Sequence, residues 1–452
     1  MRRNLGFGHG RGRGCGLTAV VALALGGCGD PPAVDDAGGG SSTDPGGSTT
    51  APGVTTTADS TGGEGTGSAT SGATLGSSSG DDGSDGPPPI KLDLGGVPDM
   101  PPPVCGGEGG GGDLSLSYIW IANSQQGTIS KLDTATMVEE GRYQARPFSG
   151  DPSRTSVNLL GDVAVANRNG GVAKFWADED DCVESNGMPG IQTSTGSANV
   201  LPWGQDECLA WYTELSCGSN RPVAWTRGEF DEAECSFVGM DLWTVCDSQV
   251  LLLDGETGAI EETIVVPGGA FVYGGAADAD GNFWGLDTGA GSLFRVEYQT
   301  WMLDTWGLPP SFGYGITVDP LGRPWVCGGG GVSRFDLVTQ TWDSTGGSGI
   351  GGCMTDGADL IWHSNPNGLV QGYNIETLAV DEQIQLPEYV HGISVDFEGN
   401  VWGVSFAGSS AYRANPVTGV IDSYNGLIGA YTYSDMTGFA LSTVGGGGIP
   451  QG

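Results

Sequence analysis

From about residue 113 onward, apolar and polar positions alternate in short runs broken by Gly, Asn and Asp. Examples are "GGAADADGNFWGLD", "GITVDPLGRPWVC" and "GISVDFEGNVWGVS". A period of two, interrupted by residues that accept positive φ, predicts short strands joined by tight turns. The runs recur. Trp243, Trp284, Trp325, Trp362 and Trp402 follow one another at 41, 41, 37 and 40 residues, and Trp120 opens the same pattern earlier. Asp278, Asp319, Asp356 and Asp396 each stand six residues before a tryptophan, ahead of a turn.

Two landmarks that keep phase through four consecutive units mark a structural repeat. Each unit reads as four short strands in about 40 residues, the period of a propeller blade. The predicted fold is therefore all-β, a β-propeller of seven blades, with six to eight compatible with the spacing. The second unit is degenerate, with Ala164 where tryptophan would stand. The segment "DMTGFALS" near Gly438 reads as a further strand with no tryptophan strand after it. It is expected to complete the first blade beside Trp120, leaving the ring without a free edge. The repeating tryptophans read as packing between blades.

One unit is too long. Between Trp176 and Trp243 lies an excursion at about 178–240 that holds Cys182, Cys208, Cys217 and Cys235. Cys235 and Cys246 flank an expected hairpin, which suggests a disulfide between them. Excess length with its own cysteines reads as a compact decoration of one face.

Ahead of the propeller region (113–445) the pattern vanishes. Residues 28–112 are Gly, Ser, Thr, Asp and Pro, which offer almost nothing to a core, so the stretch reads as a disordered tether. A chain of that kind reaches roughly 50 Å on average. Residues 1–27 combine arginines with the apolar "LTAVVALALGG" and end before Cys28 in "LGGC", like a bacterial lipoprotein signal peptide with Cys28 as the lipid attachment point. The location implied is the outer membrane or cell surface of a Gram-negative bacterium, with the membrane reached through the lipid alone. With Cys15 removed and Cys28 acylated, an even number of cysteines remains, as expected of disulfides in an exported chain. Residues 446–452 read as a flexible tail. A formal charge of -37, with 17 Lys and Arg against 54 Asp and Glu, excludes nucleic acid as a partner. A monomer is expected.

The "G-I-x-V-D-x-x-G-x-x-W" units resemble the repeats of streptogramin lyase-like propellers and, more loosely, NHL repeats. In the lyases that resemblance implies a magnesium-assisted elimination that opens a cyclic depsipeptide. A histidine directly before "GI" is the base, with one glutamate two residues earlier and another three residues after the blade's tryptophan. His391 precedes Gly392 and Ile393 as the pattern asks, but Glu388 is three residues before it, and Ser405 stands where the second glutamate would be. The histidine is kept and the metal set is broken.

Other candidates are less specific. Asp178, Asp180, Asp181 and Glu184 offer hard oxygens for calcium without the glycine and spacing of an EF-hand. Asp278 in "DADGN" mimics a calcium loop, but the repeat places it on a turn where it caps amides. No CxxC pair, GxSxG, HExxH or P-loop stands in the folded region. No resident cofactor is expected beyond magnesium or calcium at these positions. The first functional reading is a non-catalytic binding or scaffold module that meets a glycan, peptide or protein on a propeller face. The second is a lyase of the streptogramin type, a carbon–oxygen ring-opening enzyme with His391 as base and Glu388 as substitute ligand.

Overall fold

The computed structural model describes residues 117–446 except 234, 269–270, 310–312 and 348. The expected signal peptide, Cys28, the tether and the tail beyond 446 lie outside the described residues. Seven antiparallel sheets form the seven blades of a β-propeller, each running outward from an inner strand in simple meander order. The inner strands of blades 2 to 7 are Pro152–Val157, Asn220–Trp225, Val272–Ala277, Gly313–Val318, Cys353–Thr355 and Val390–Val395.

Blade 1 has three regular strands, Tyr118–Asn123, Thr128–Asp133 and Glu139–Gln144. The C-terminal chain fills its inner place. Ala430 bridges Asn123, Tyr431 N–H donates to the Ala122 carbonyl, and Trp120 N–H donates to the Met436 carbonyl. The ring is sealed by the two ends of the described chain, as the sequence predicts, but with segment 430–436, which takes in only the first two residues of "DMTGFALS". The rest of that stretch turns into a short helix, Phe439–Thr443. Asp435 sets it up by accepting from the amides of Gly438 and Leu441, which diverts the backbone from extension.

The tryptophans Trp120, Trp243, Trp284, Trp325, Trp362 and Trp402 are fully buried between blades. The Asp column explains itself. In Asp278, Asp319 and Asp396 one carboxylate oxygen caps two turn amides, and the other accepts the indole N–H six residues on, at 2.8–2.9 Å. Where no such Asp precedes the tryptophan, the indole reaches the next blade. Trp120 donates to the Gly161 carbonyl and Trp243 to that of Gly281.

The 178–240 stretch is not one excursion. It contains the outer strand of blade 2 (Leu209–Thr213), the inner strand of blade 3, and a hairpin of Glu229–Asp231 with Ser236–Val238. Its first part lies along the outer strand of blade 1, where Ser197 and Trp203 amides donate to Glu139 and Gln144. Three disulfides stand among the described residues: Cys182–Cys208, Cys217–Cys246 and Cys327–Cys353. They fit an extracytoplasmic location. The expected Cys235–Cys246 pair is corrected. Cys246 ends its strand opposite Asn220, so its partner across the blade comes from the segment leading into the inner strand, where Cys217 lies. Cys235 sits on the hairpin before the other end of that strand.

Candidate functional site

A single device repeated around the ring builds the site. In blades 2, 4, 5 and 7 the ladder between the inner and second strands slips by one residue, between 152 and 154, 272 and 274, 313 and 315, and 390 and 392. A bulge of this kind re-aims the side chain of the extra residue. Those residues are Ser153, Tyr273, Tyr314 and His391. Blade 3 carries a similar irregularity near Arg221, and the closing segment contributes Tyr431 and Tyr433. In blades 4, 5 and 7 the next residue is glycine because the inner strands crowd together at the axis. A Cβ on Gly392 would stand 2.3 Å from the Thr432 carbonyl, and one on Gly315 would stand 3.0 Å from the Gly352 backbone.

These side chains converge. Tyr273 Oη lies 3.0 Å from Tyr314 Oη and 2.7 Å from Tyr431 Oη, and Tyr314 also hydrogen-bonds Tyr431. Hydroxyls from blades 4, 5 and 1 meet in this way only at the axis. His391 packs within 5.4 Å, centroid to centroid, of the rings of Tyr314, Phe406, Tyr431 and Tyr433. Its Nδ1 is 2.7 Å from Tyr389 Oη, while Nε2 is buried and makes no hydrogen bond. Three guanidinium groups stack on the same tyrosines: Arg154 at 3.5 Å from the Tyr433 ring, Arg221 at 4.7 Å from Tyr273 and Arg168 at 4.7 Å from Tyr431. At the opposite end of the ring, the turn end, the C-terminal helix packs close to the blades. Thr443 faces Gly357, and Arg227 donates to the Val444 carbonyl.

Electrostatics follow from this packing. Burial, with the charge of Arg154, pushes the His391 imidazole down to about 3. Burial raises the Tyr433 and Tyr314 hydroxyls well above their ordinary value. Burial also acts to raise Tyr273, but the Arg221 charge and the hydrogen bonding with Tyr314 and Tyr431 outweigh it and leave it lowered. A general base works best with a pKa near the operating pH. Held this low, His391 is a poor proton acceptor at neutral pH.

The residues present do not fit the magnesium centre that the lyase resemblance implies. Glu388 accepts from Tyr412 Oη at 3.0 Å, and Ser405 Oγ accepts from the Ser410 amide. His391 faces aromatic rings and a cation, whereas magnesium requires convergent oxygens. The calcium candidates are not gathered either. Asp178 caps the Asp180 amide, Glu184 accepts from the Asn186 amide, and no three His, Cys, Asp or Glu side chains among the described residues could share a metal.

Of the residues singled out in the sequence, only His391 belongs to this cluster. Tyr273, Tyr314, Arg154 and Arg221 were not anticipated. One signal was available, because the residue five before the repeat Asp is Tyr273, Tyr314, Gly351 and His391 in four successive blades. That position varies beside a nearly constant glycine, as expected where the repeat faces the axis rather than another blade.

No protein-family model matches this chain, and no curated protein does. Among solved structures it is similar to a functionally unknown protein from Desulfotomaculum acetoxidans, at 11% identity and TM-score 0.50, covering 70% of this chain and 100% of that one. It is also similar to a streptogramin B lyase at 16% identity and TM-score 0.46, covering 64% of this chain and 87% of that one. A virginiamycin B lyase from Staphylococcus aureus follows at 12% identity and TM-score 0.43, covering 61% and 84%. At these identities the likeness is one of fold.

Proposed function

We propose that this chain is a membrane-tethered, extracytoplasmic binding propeller without catalysis, which engages its ligand at the axial end where the inner strands begin. One observation carries the reading: tyrosines, arginines and His391 from separate blades converge there without the carboxylates that the lyase chemistry needs. Aromatic surfaces with a few convergent polar groups are typical of binding sites. The tether and lipid anchor expected from the sequence would hold such a module clear of the envelope.

Binding of the full chain to immobilised glycan and peptide arrays tests this. Hits are expected to weaken in Tyr314→Ala and Tyr431→Ala and to persist in Asp180→Ala, on the exposed turn Glu179–Asp181. Hits that survive the axial substitutions would move the contact surface elsewhere. Incubation with a cyclic depsipeptide and magnesium is expected to leave the ring closed. Ring opening that His391→Ala abolishes would replace this reading with the lyase.

A further inference from the structure

Acids reach several of the buried and half-buried cations in this chain, although buried Lys131 donates to the Ala177 carbonyl instead. Arg142 is paired with Glu139 at 2.7 Å and Arg323 with Asp319 at 2.7 Å, and buried Lys174 pairs with Asp162 at 3.2 Å. Acids outnumber bases by 54 to 17, so an unpaired buried arginine is not explained by scarcity. Yet Arg154 is 1% exposed and its hydrogen bond goes to the Tyr433 carbonyl, at 3.2 Å. Its Nε and Nη2 make none, nor do Nε and Nη1 of Arg221, and neither residue is in an ion pair among the described residues. Of the carboxylates near this end, Asp151 is taken by Arg168, and Asp287 accepts through Oδ1 from the amides of Phe271, Gly289 and Ala290, while its buried Oδ2 makes no hydrogen bond; neither pairs with Arg154 or Arg221.

A buried charge without a partner is costly. Stacking on tyrosine faces offsets part of that cost and leaves the N–H edges of a guanidinium, which lie in its plane, for an acceptor. The adjoining hydroxyls of Tyr273, Tyr314 and Tyr431 bond one another, and an acceptor arriving at the same place can draw those protons to itself. Ser153, on the neighbouring bulge, has a buried Oγ that makes no hydrogen bond.

We infer that the axial end is an oxyanion site, in which a carboxylate or sulfate group of the ligand is held by Arg221 and the three tyrosine hydroxyls, with Arg154 supplying the second positive charge. This rests on the axial-binding reading and narrows it to ligands with an anionic group. In a strongly acidic protein such a cationic spot would select where the rest of the surface repels.

The test titrates the full chain with sodium sulfate and with sodium acetate, following tyrosine difference absorbance against sodium chloride at equal ionic strength. At least one anion is expected to give a saturable response, and the better of the two decides between a tetrahedral and a planar group. Arg221→Gln is expected to weaken it by about tenfold or more, the loss of a charge-assisted hydrogen bond. Arg154→Gln should do the same. If that buried substitution unfolds the ring, Arg221→Gln, at a partly exposed position, still decides. Absence of any response beyond chloride, or an unchanged response in Arg221→Gln, overturns the inference. Array ligands that bind axially while neither anion does would defeat it and leave the binding reading standing. Anions that bind with no array ligand competing would do the reverse.

Discussion

At the scale of single residues, one histidine carries a measurable signature of the packing. His363, on the second strand of blade 6, is completely buried, and burial pushes its imidazole down to about 4. The folded value lies below the ordinary one, so the unfolded chain takes the proton first. The stability at stake is fully present above about pH 6.5 and drains away as pH falls toward 4, by up to about 3 kcal/mol. Asp356 and Asp435, whose carboxyls burial pushes up, tilt the balance the other way, so the comparison with a variant is what isolates the histidine. Urea unfolding at pH 7 and pH 4.5 should show a smaller acid loss in His363→Leu than in the wild type, and equal losses would refute the assignment. The sequence made the Asp column legible as turn caps, because Asp before Gly or Asn carries that signal locally. Its second role was not legible. The indole that Asp319 or Asp396 receives arrives across a hairpin, and only the fold shows that six residues of separation become 2.8–2.9 Å. Arg154 and Arg221 were equally silent, since nothing in the chain distinguishes an arginine stacked at the axis from one on the rim.

At the scale of elements, the blades differ in how firmly they are held. Blade 6 has the shortest inner strand, three residues from Cys353 to Thr355, and a disulfide compensates by joining Cys353 to Cys327 on the second strand of blade 5. With a sequence separation of 26 between the cysteines, closing that loop in the unfolded chain is worth about 3.5 kcal/mol. Replacing both buried cysteines by alanine should lower the urea midpoint accordingly and raise amide exchange in blade 6 before the other blades. Uniform exchange across the ring would show that the bond constrains no particular blade. The period of the blades was readable because four consecutive units repeat the same two landmarks. The pairing of Cys246 was not, because it depends on the register of blade 3, where a bulge between Thr244 and Cys246 sets which side of the hairpin the sulfur meets.

At the scale of the whole molecule, the ring is held closed by a segment that is hardly a strand. The stretch 430–436 replaces the inner strand of blade 1, and its contacts are asymmetric. It supplies two of the axial tyrosines on one side and buries Ala430 and Met436 against Ile119, Ile121 and Trp402 on the other. Closure and the binding site therefore share the same residues, and loss of one should carry the other with it. Met436→Ala removes a fully buried side chain and should cost roughly 2–5 kcal/mol of stability. Because Met436 packs in the cluster of Ile119, Ile121 and Trp402, sulfate or acetate affinity in that variant should hold while the ring stays folded and fall only along the unfolding transition. A chain cut after Asn425 should go further. An unpaired edge on blade 1 and the lost cover over Trp402 leave apolar surface open, so the product should lose cooperative unfolding and self-associate. Sedimentation and near-UV dichroism read both effects. A truncated chain that stays monomeric, with an unchanged midpoint, would mean that the ring is sealed by packing among the inner strands and that the terminal segment only decorates it.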